Sequence, residues 1–287
     1  MSLNTLVRAS SVRLAKSDAE GFPLVSDTRE SIADLLGGAA RSWIWTRLAY
    51  QDIKLRYRGS VLGPFWVTLS NLVMTIAIGI IYSSLFHVET AVFVPFVMLG
   101  IILWQMVSGI INEGCQTFTG AQDVIQQVKL PFSIHAFRVV YRNLLILAHN
   151  AVIVPLAMVF FKMDPSWRMI EAIPGIVLLC FNGLWLSLFL GMASARFRDI
   201  PPIVSSIVQV LMFMTPIFWP LSAVNPAMKQ ILAYNPFFAA VDIVRAPLLG
   251  TPPEPSSWPL MLCCTAVITL CGFGLFARFR PRIAYWI

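Results

Sequence analysis

Six stretches of this chain run for about 20 residues with no Asp, Glu, Lys or Arg in their interiors: about 65–86, 91–112, 143–162, 171–194, 201–222 and 258–277. A helix of about 20 apolar residues crosses the ~30 Å hydrocarbon core of a bilayer. The chain therefore reads as an all-α integral membrane protein with six transmembrane helices. Composition agrees: 57% of the 287 residues are hydrophobic, mean hydropathy is +0.75, and only 12% are charged. Soluble domains carry about 25% charged residues.

A seventh apolar stretch, 230–249, contains Pro236, Asp242, Arg245 and Pro247. Charge decides its path. With six spans and the N-terminus inside, 17 of the 21 Lys and Arg residues fall on the inner side. A seventh span would put Arg278, Arg280 and Arg282 outside, against the positive-inside rule. The region 221–250 is therefore expected to be an external re-entrant helical hairpin. Irregular backbone at membrane depth survives only when buried in protein or lining a cavity. No apolar core marks a signal peptide near the start, so both termini are expected in the cytoplasm.

Three regions result: a polar cytoplasmic tail (1–33), an amphipathic interface helix (34–63) and a transmembrane domain (64–287). Over 34–58, Arg47, Gln51, Lys54 and Arg58 form a polar stripe, with Ile44, Leu48 and Leu55 beside it. Asp52 and Arg56 have the i,i+4 spacing of a helical ion pair. Such a helix rests in the headgroup layer with its cations on anionic phosphates. Gly63-Pro64 ends it, and Pro64 suits the first turn of the next helix.

Intramembrane ionisable residues mark coupled carriers, and charge rings or carbonyl filters mark selective channels. The span interiors offer only His149, which reads as a packing residue. A phosphate-loop motif is missing, so uphill transport would draw energy from another subunit. The five cysteines read as small packing residues. With the cations gathered on one membrane face, no nucleic-acid partner is expected. What the spans do carry is aromatic: Trp66, Tyr82, Phe86, Trp104, Phe213, Phe218 and Trp219 lie in the first, second and fifth. Their faces can stack on sugars without charge, or can simply meet lipid.

The string DIKLRYRGSVLGPFW (52–66), with ARFRDIPPIV (195–204), QVLMFMTPIFWP (209–220) and YNPF (234–237), resembles the ABC-2 type permeases of polysaccharide exporters, which move O-antigen, capsular polysaccharide or teichoic acid. The resemblance covers about residue 40 to the end. It implies a homodimer of six-span permeases in the bacterial inner membrane. It also implies a separate ABC ATPase dimer that binds MgATP, with no cofactor in this chain, and a lipid-linked polysaccharide as cargo. It places an ATPase-coupling element at 113–131, with Asp123, Gln126, Gln127 and Lys129 as contacts, and gate helices at 221–250. Lys54, Arg56 and Arg58 are then expected to hold a pyrophosphate head group at the inner mouth. The seven aromatics are expected to line the channel. The RFRD turn (Arg196, Arg198, Asp199) is expected to form a helix-end salt bridge. Two alternatives stay open: an ABC-2 permease for a small lipid or drug, and a membrane enzyme or scaffold of polysaccharide synthesis.

Overall fold

The computed structural model describes residues 24–61, 63 and 65–287, with side chains from residue 28 onward. Most of the expected tail, and the helix start at Pro64, lie outside the described residues. In chain order the α-helices are α1 (Leu24–Ala40), α2 (Ser42–Arg56), α3 (Phe65–Phe86), α4 (Thr90–Gly114), α5 (Gln122–Gln127), α6 (Ser133–Ala151) and α7 (Ile153–Phe160). They continue with α8 (Ala172–Arg196), α9 (Ile200–Met214), α10 (Pro226–Leu232), α11 (Pro236–Leu248), α12 (Ser257–Phe279) and α13 (Ile283–Trp286).

Among the described residues, five helical stretches are long and apolar enough to cross a membrane: Phe65–Phe86, Thr90–Gly114, Ser133–Phe160, Trp167–Arg196 and Ser257–Trp286. The pair α10 and α11 passes only together and is bent by 91°. The chain is a multi-pass membrane protein.

In the first span the polarity is inverted. The buried residues of α3 are Thr68, Asn71, Thr75, Gly79 and Ser83, while Val73, Ile76, Ile80 and Ile81 point outward. Lipid tails are as apolar as Ile, so small and polar residues form the helix contacts. Ser83 Oγ lies 3.0 Å from Thr90 Oγ1 across the turn to α4.

Three expectations about the helices change. The interface helix is two helices, and α1 starts inside the segment read as tail. Ser31, from the segment read as a polar tail, and Asp34, at the expected start of the interface helix, are both buried. The break at Arg41 follows Gly38, where a Cβ would collide with Ser133 Oγ of α6, so glycine permits direct backbone contact. On α2 the polar stripe is exposed as expected, but Leu55 is exposed too. The face that packs on α6 is Trp45, Ala49, Asp52 and Ile53. Trp45 stacks on Phe137 at 5.7 Å and meets Tyr141 edge-on at 5.2 Å.

The third span begins at Ser133 rather than 143. The first N–H groups of a helix need acceptors. Here they come from far away in sequence: Asp34 accepts from Phe132 N at 3.1 Å and Ser133 N at 3.0 Å. Asp34 also accepts from Arg280 Nε at 2.9 Å.

The fifth span, expected over 201–222, is helical only to Met214. Its 15 residues rise about 22 Å, short of the ~30 Å core. Thr215–Pro220 continues from it without helix. Pro220 and Ser222 then line a cavity at the far end with Val88, Lys162 and Gly250. Thr215, Ile217 and Phe218 are buried, as irregular backbone at membrane depth must be.

The hairpin expected over 221–250 is present as α10 and α11. Asn225 Oδ1 accepts from Met228 N at 2.8 Å, and Asn235 Oδ1 accepts from Phe237 N at 2.9 Å. Each Asn is thus an N-cap with Pro at the next position. The residues Phe238–Pro247 of α11 are buried among α4, α8 and α12.

Candidate functional site

Among the polar groups described within this apolar bundle, two regions are candidate sites. The first is a groove between α3, α4 and α9. On α4, Gln105, Ser108 and Asn112 are spaced by three and four residues, one helix face. Asn71 of α3 and Ser205 and Gln209 of α9 face them across a cavity of about 340 Å³. Gln105 Oε1 accepts from Asn71 Nδ2 at 2.8 Å and from Asn150 Nδ2 at 2.7 Å. Thr68 Oγ1 donates to Asn150 Oδ1 at 2.9 Å. The first three spans are therefore tied together by amides and a hydroxyl. A groove of this kind offers hydrogen bonds to a polar, uncharged chain.

Trp104 and Phe218 belong to the groove wall. The other expected aromatics are spread more widely. Tyr82, Phe86 and Trp219 pack against the apolar cluster that holds Trp104 and Phe218, with Tyr82 edge-on to Phe86 at 5.9 Å. Phe213 is exposed and 6.3 Å from Phe218. Trp66 is exposed and stands apart from that cluster. The polar wall itself escaped a sequence search that looked for charges. Its signal was the Gln105–Ser108–Asn112 stripe in an otherwise apolar helix.

The second region is a charged cluster where α2, α4 and α6 meet. Arg138 Nε donates to Asp52 Oδ2 at 2.7 Å, and Arg142 bridges Asp52 and Glu113. Glu113 also accepts from Arg56 Nη2 at 2.6 Å and Asn143 Nδ2 at 2.7 Å. Burial would raise the Asp52 carboxyl, but Arg138 and then Arg142 outweigh it and hold it below the usual carboxylate value. Burial likewise opposes the charge on Arg56, and Glu113 reverses the balance, raising it.

Two expectations are corrected by this cluster. The Asp52–Arg56 pair along α2 is replaced by pairs to α6 and α4. Arg56 is paired with Glu113 and half-exposed, while Lys54 and Arg58 are exposed and have no carboxylate partner among the described residues. Arg138 and Arg142 belong to the third helical span, whose start a polar N-terminus disguised. The RFRD turn makes no salt bridge among the described residues; Arg196 instead lies 5.7 Å from the Phe197 ring and 6.0 Å from Trp286.

The expected coupling region, 113–131, runs from Glu113 through a 3-10 turn (Thr119–Ala121) to α5. Asp123, Gln126, Gln127 and Lys129 are all exposed there, with Val124 and Ile125 half-buried. The region starts directly at the charged cluster through Glu113.

A family profile described as ABC-2 type transporter matches residues 45–249. The chain belongs to the ABC-2 type transporter family. Among its relatives is the O-antigen export system permease protein RfbA of Myxococcus xanthus. It is 25% identical over 229 residues, covering 78% of this chain and 86% of that protein. Two Klebsiella pneumoniae proteins with the same name are 22% identical over 241 and 239 residues, each covering 82% of this chain and 91% of the relative. The match to the ABC-2 profile takes in both polar regions and the α10–α11 hairpin.

Proposed function

We propose that this chain is the permease subunit of an ATP-driven exporter of lipid-linked polysaccharide, O-antigen first and capsular polysaccharide second. The observation that carries the reading is the uncharged polar groove on α3, α4 and α9, in a chain whose relatives are named as O-antigen export permeases. A hydroxyl-rich polymer can slide along amides and hydroxyls without a charge to hold it. Trp104 and Phe218 add faces for its sugars.

The permease works as a homodimer with a separate ABC ATPase dimer, which binds MgATP, in the bacterial inner membrane. The outward apolar faces of α3 and α9 support a second copy: Ile76 and Ile80 on one, Ile207 and Val210 on the other, are exposed. The end that gathers Lys54, Arg142, Arg196, Arg278 and Arg280 faces the cytoplasm by the positive-inside rule, and the α10–α11 hairpin gates the outer side. Asp123, Gln126, Gln127 and Lys129 contact the ATPase. The stroke reaches the spans through Glu113 and the pairs that bind α2 and α6. Lys54 and Arg58 meet the pyrophosphate head group, joined by Arg56 when it leaves Glu113.

The test is a deletion strain complemented with Gln105→Leu. Deletion should remove surface polysaccharide without changing drug sensitivity, and Gln105→Leu should restore normal protein level but not export. Full export by Gln105→Leu at normal level removes the groove from the path. Changed drug sensitivity with intact surface polysaccharide favours a small lipid or drug as cargo. Purification from native membranes should bring a Walker-motif ATPase in stoichiometric amount, and its absence favours a scaffold or enzyme.

A further inference from the structure

At the basic end, on helices that do not line the groove, α8, α12 and α13 enclose a surface cavity of about 510 Å³. Its floor is apolar: Phe189 and Met192 from α8, Leu275 from α12. Arg196 and Arg282 stand at its rim and contribute to its lining. Both are held against rings. Arg196 stacks on Trp286 at 6.0 Å, Arg282 lies 5.8 Å from Phe279, and those two rings are 5.7 Å apart. Cation–π contacts of this sort orient a guanidinium while leaving its N–H edge open.

The arginines of this end fall into two groups. Arg56, Arg138, Arg142 and Arg280 each pair with a carboxylate. Arg196, Arg278 and Arg282 have no carboxylate partner among the described residues, and neither Asp nor Glu lines the cavity. The cavity lies at the last turns of α8 and α12, where a span of that length meets the headgroup layer. An apolar floor beneath unpaired cations at that depth matches one occupant: an acyl chain below, a phosphate above.

We propose that this cavity binds an anionic phospholipid of the surrounding bilayer. The phosphate is bridged by Arg196 and Arg282 through charge-assisted hydrogen bonds, and the upper part of one acyl chain covers Phe189, Met192 and Leu275. Basic pockets between spans take anionic headgroups on these terms. The site lies apart from the groove and does not depend on the cargo.

The test uses the full-length protein in phosphatidylcholine vesicles that contain either dibrominated phosphatidylglycerol or dibrominated phosphatidylcholine at equal mole fraction. Bromine quenches tryptophan on contact. The Trp286 signal is the difference between the unmodified protein and Trp286→Phe. Phosphatidylglycerol should quench Trp286 more, with a preference of roughly fivefold per arginine, and Arg196→Gln with Arg282→Gln should abolish it. Arg47→Gln, on α2's exposed stripe, should leave it intact. In the unmodified protein, added salt should weaken the preference, which keeps the test sound if the double variant folds poorly. Equal quenching by the two lipids, a preference that survives in a folded double variant, or one that ignores salt overturns the proposal. So does the absence of quenching by either lipid, which would mean that a protein surface or a second copy fills the cavity.

Discussion

At one end of the bundle Asp52, Glu113, Arg138 and Arg142 pair with one another across three helices. At the other, Asp242 and Arg245 lie three residues apart on α11, 7% and 3% exposed, and make no salt bridge among the described residues. Each of the latter bonds to backbone instead, Asp242 to a hydroxyl as well. Asp242 accepts from Glu254 N at 2.8 Å and Ser257 Oγ at 2.7 Å, so it supports the start of α12. Arg245 donates to Pro216 O at 2.7 Å, inside the non-helical part of the fifth pass, and lies 4.0 Å from the Phe96 ring. One set of charges ties helices that must stay together yet remain near water. The other supplies hydrogen bonds where the chain breaks helix inside lipid. The first can be loosened without opening the bundle; the second cannot.

Breaking that contrast should give the largest effect at Asp242. Asp242→Leu strands the buried Ser257 hydroxyl and removes the acceptor of Glu254 N–H, and hydrogen bonds to charged groups contribute about 1.5–3 kcal/mol each. The expected result is a loss of roughly 3 kcal/mol or more, seen as lowered thermal stability in detergent and low protein level. Normal stability would mean that α11 holds its place by packing alone. Next comes Glu113→Gln, which weakens two arginine pairs. It should lower export by several fold while protein level holds, if the cluster transmits motion rather than supports the fold. Equal losses of export and of folded protein would assign it to stability.

Asp52 and Arg138 sharpen the comparison. A double-mutant cycle with Asp52→Asn and Arg138→Gln, read by thermal unfolding, should give a coupling of about 1–2 kcal/mol, between the values of exposed pairs and of buried ones. A coupling near zero would mean the pair is no stronger than a surface bridge. The smallest effect is a pH dependence. The Asp52 carboxyl is held below its usual 3.8 in the folded protein. Its contribution is present in full above that value and disappears as pH falls through the folded one. The stability gap between the unmodified protein and Asp52→Asn should therefore close only under strong acid. A gap that closes near neutral pH would point to another group.

Much of the fold was legible because a bilayer makes length and charge decisive. The uncharged runs gave the spans, and the proline-interrupted, charge-bearing stretch over 221–250 gave the α10–α11 hairpin. What stayed hidden depends on partners remote in sequence. The N-terminal cap of α6 is Asp34, about a hundred positions away, so a polar prelude looked like a loop. The early end of α9 is tolerated because Arg245 satisfies Pro216. Of the candidate site, Trp104 and Phe218 were found by their aromatic character. Asn71 and Gln105 were passed over because an uncharged amide leaves hydropathy nearly intact, although it is conspicuous once its hydrogen bonds are seen.

The Asp34 carboxylate receives Phe132 and Ser133 from the middle of the chain and Arg280 from its far end, 246 positions away. A ribosome releases these partners in order. The first two can close while α8 to α12 are still to be made, but the third exists only after α12 has been synthesised. The corner at Asp34 is therefore fastened only after every described span, and until Arg280 arrives the apolar helices are all present around an open joint.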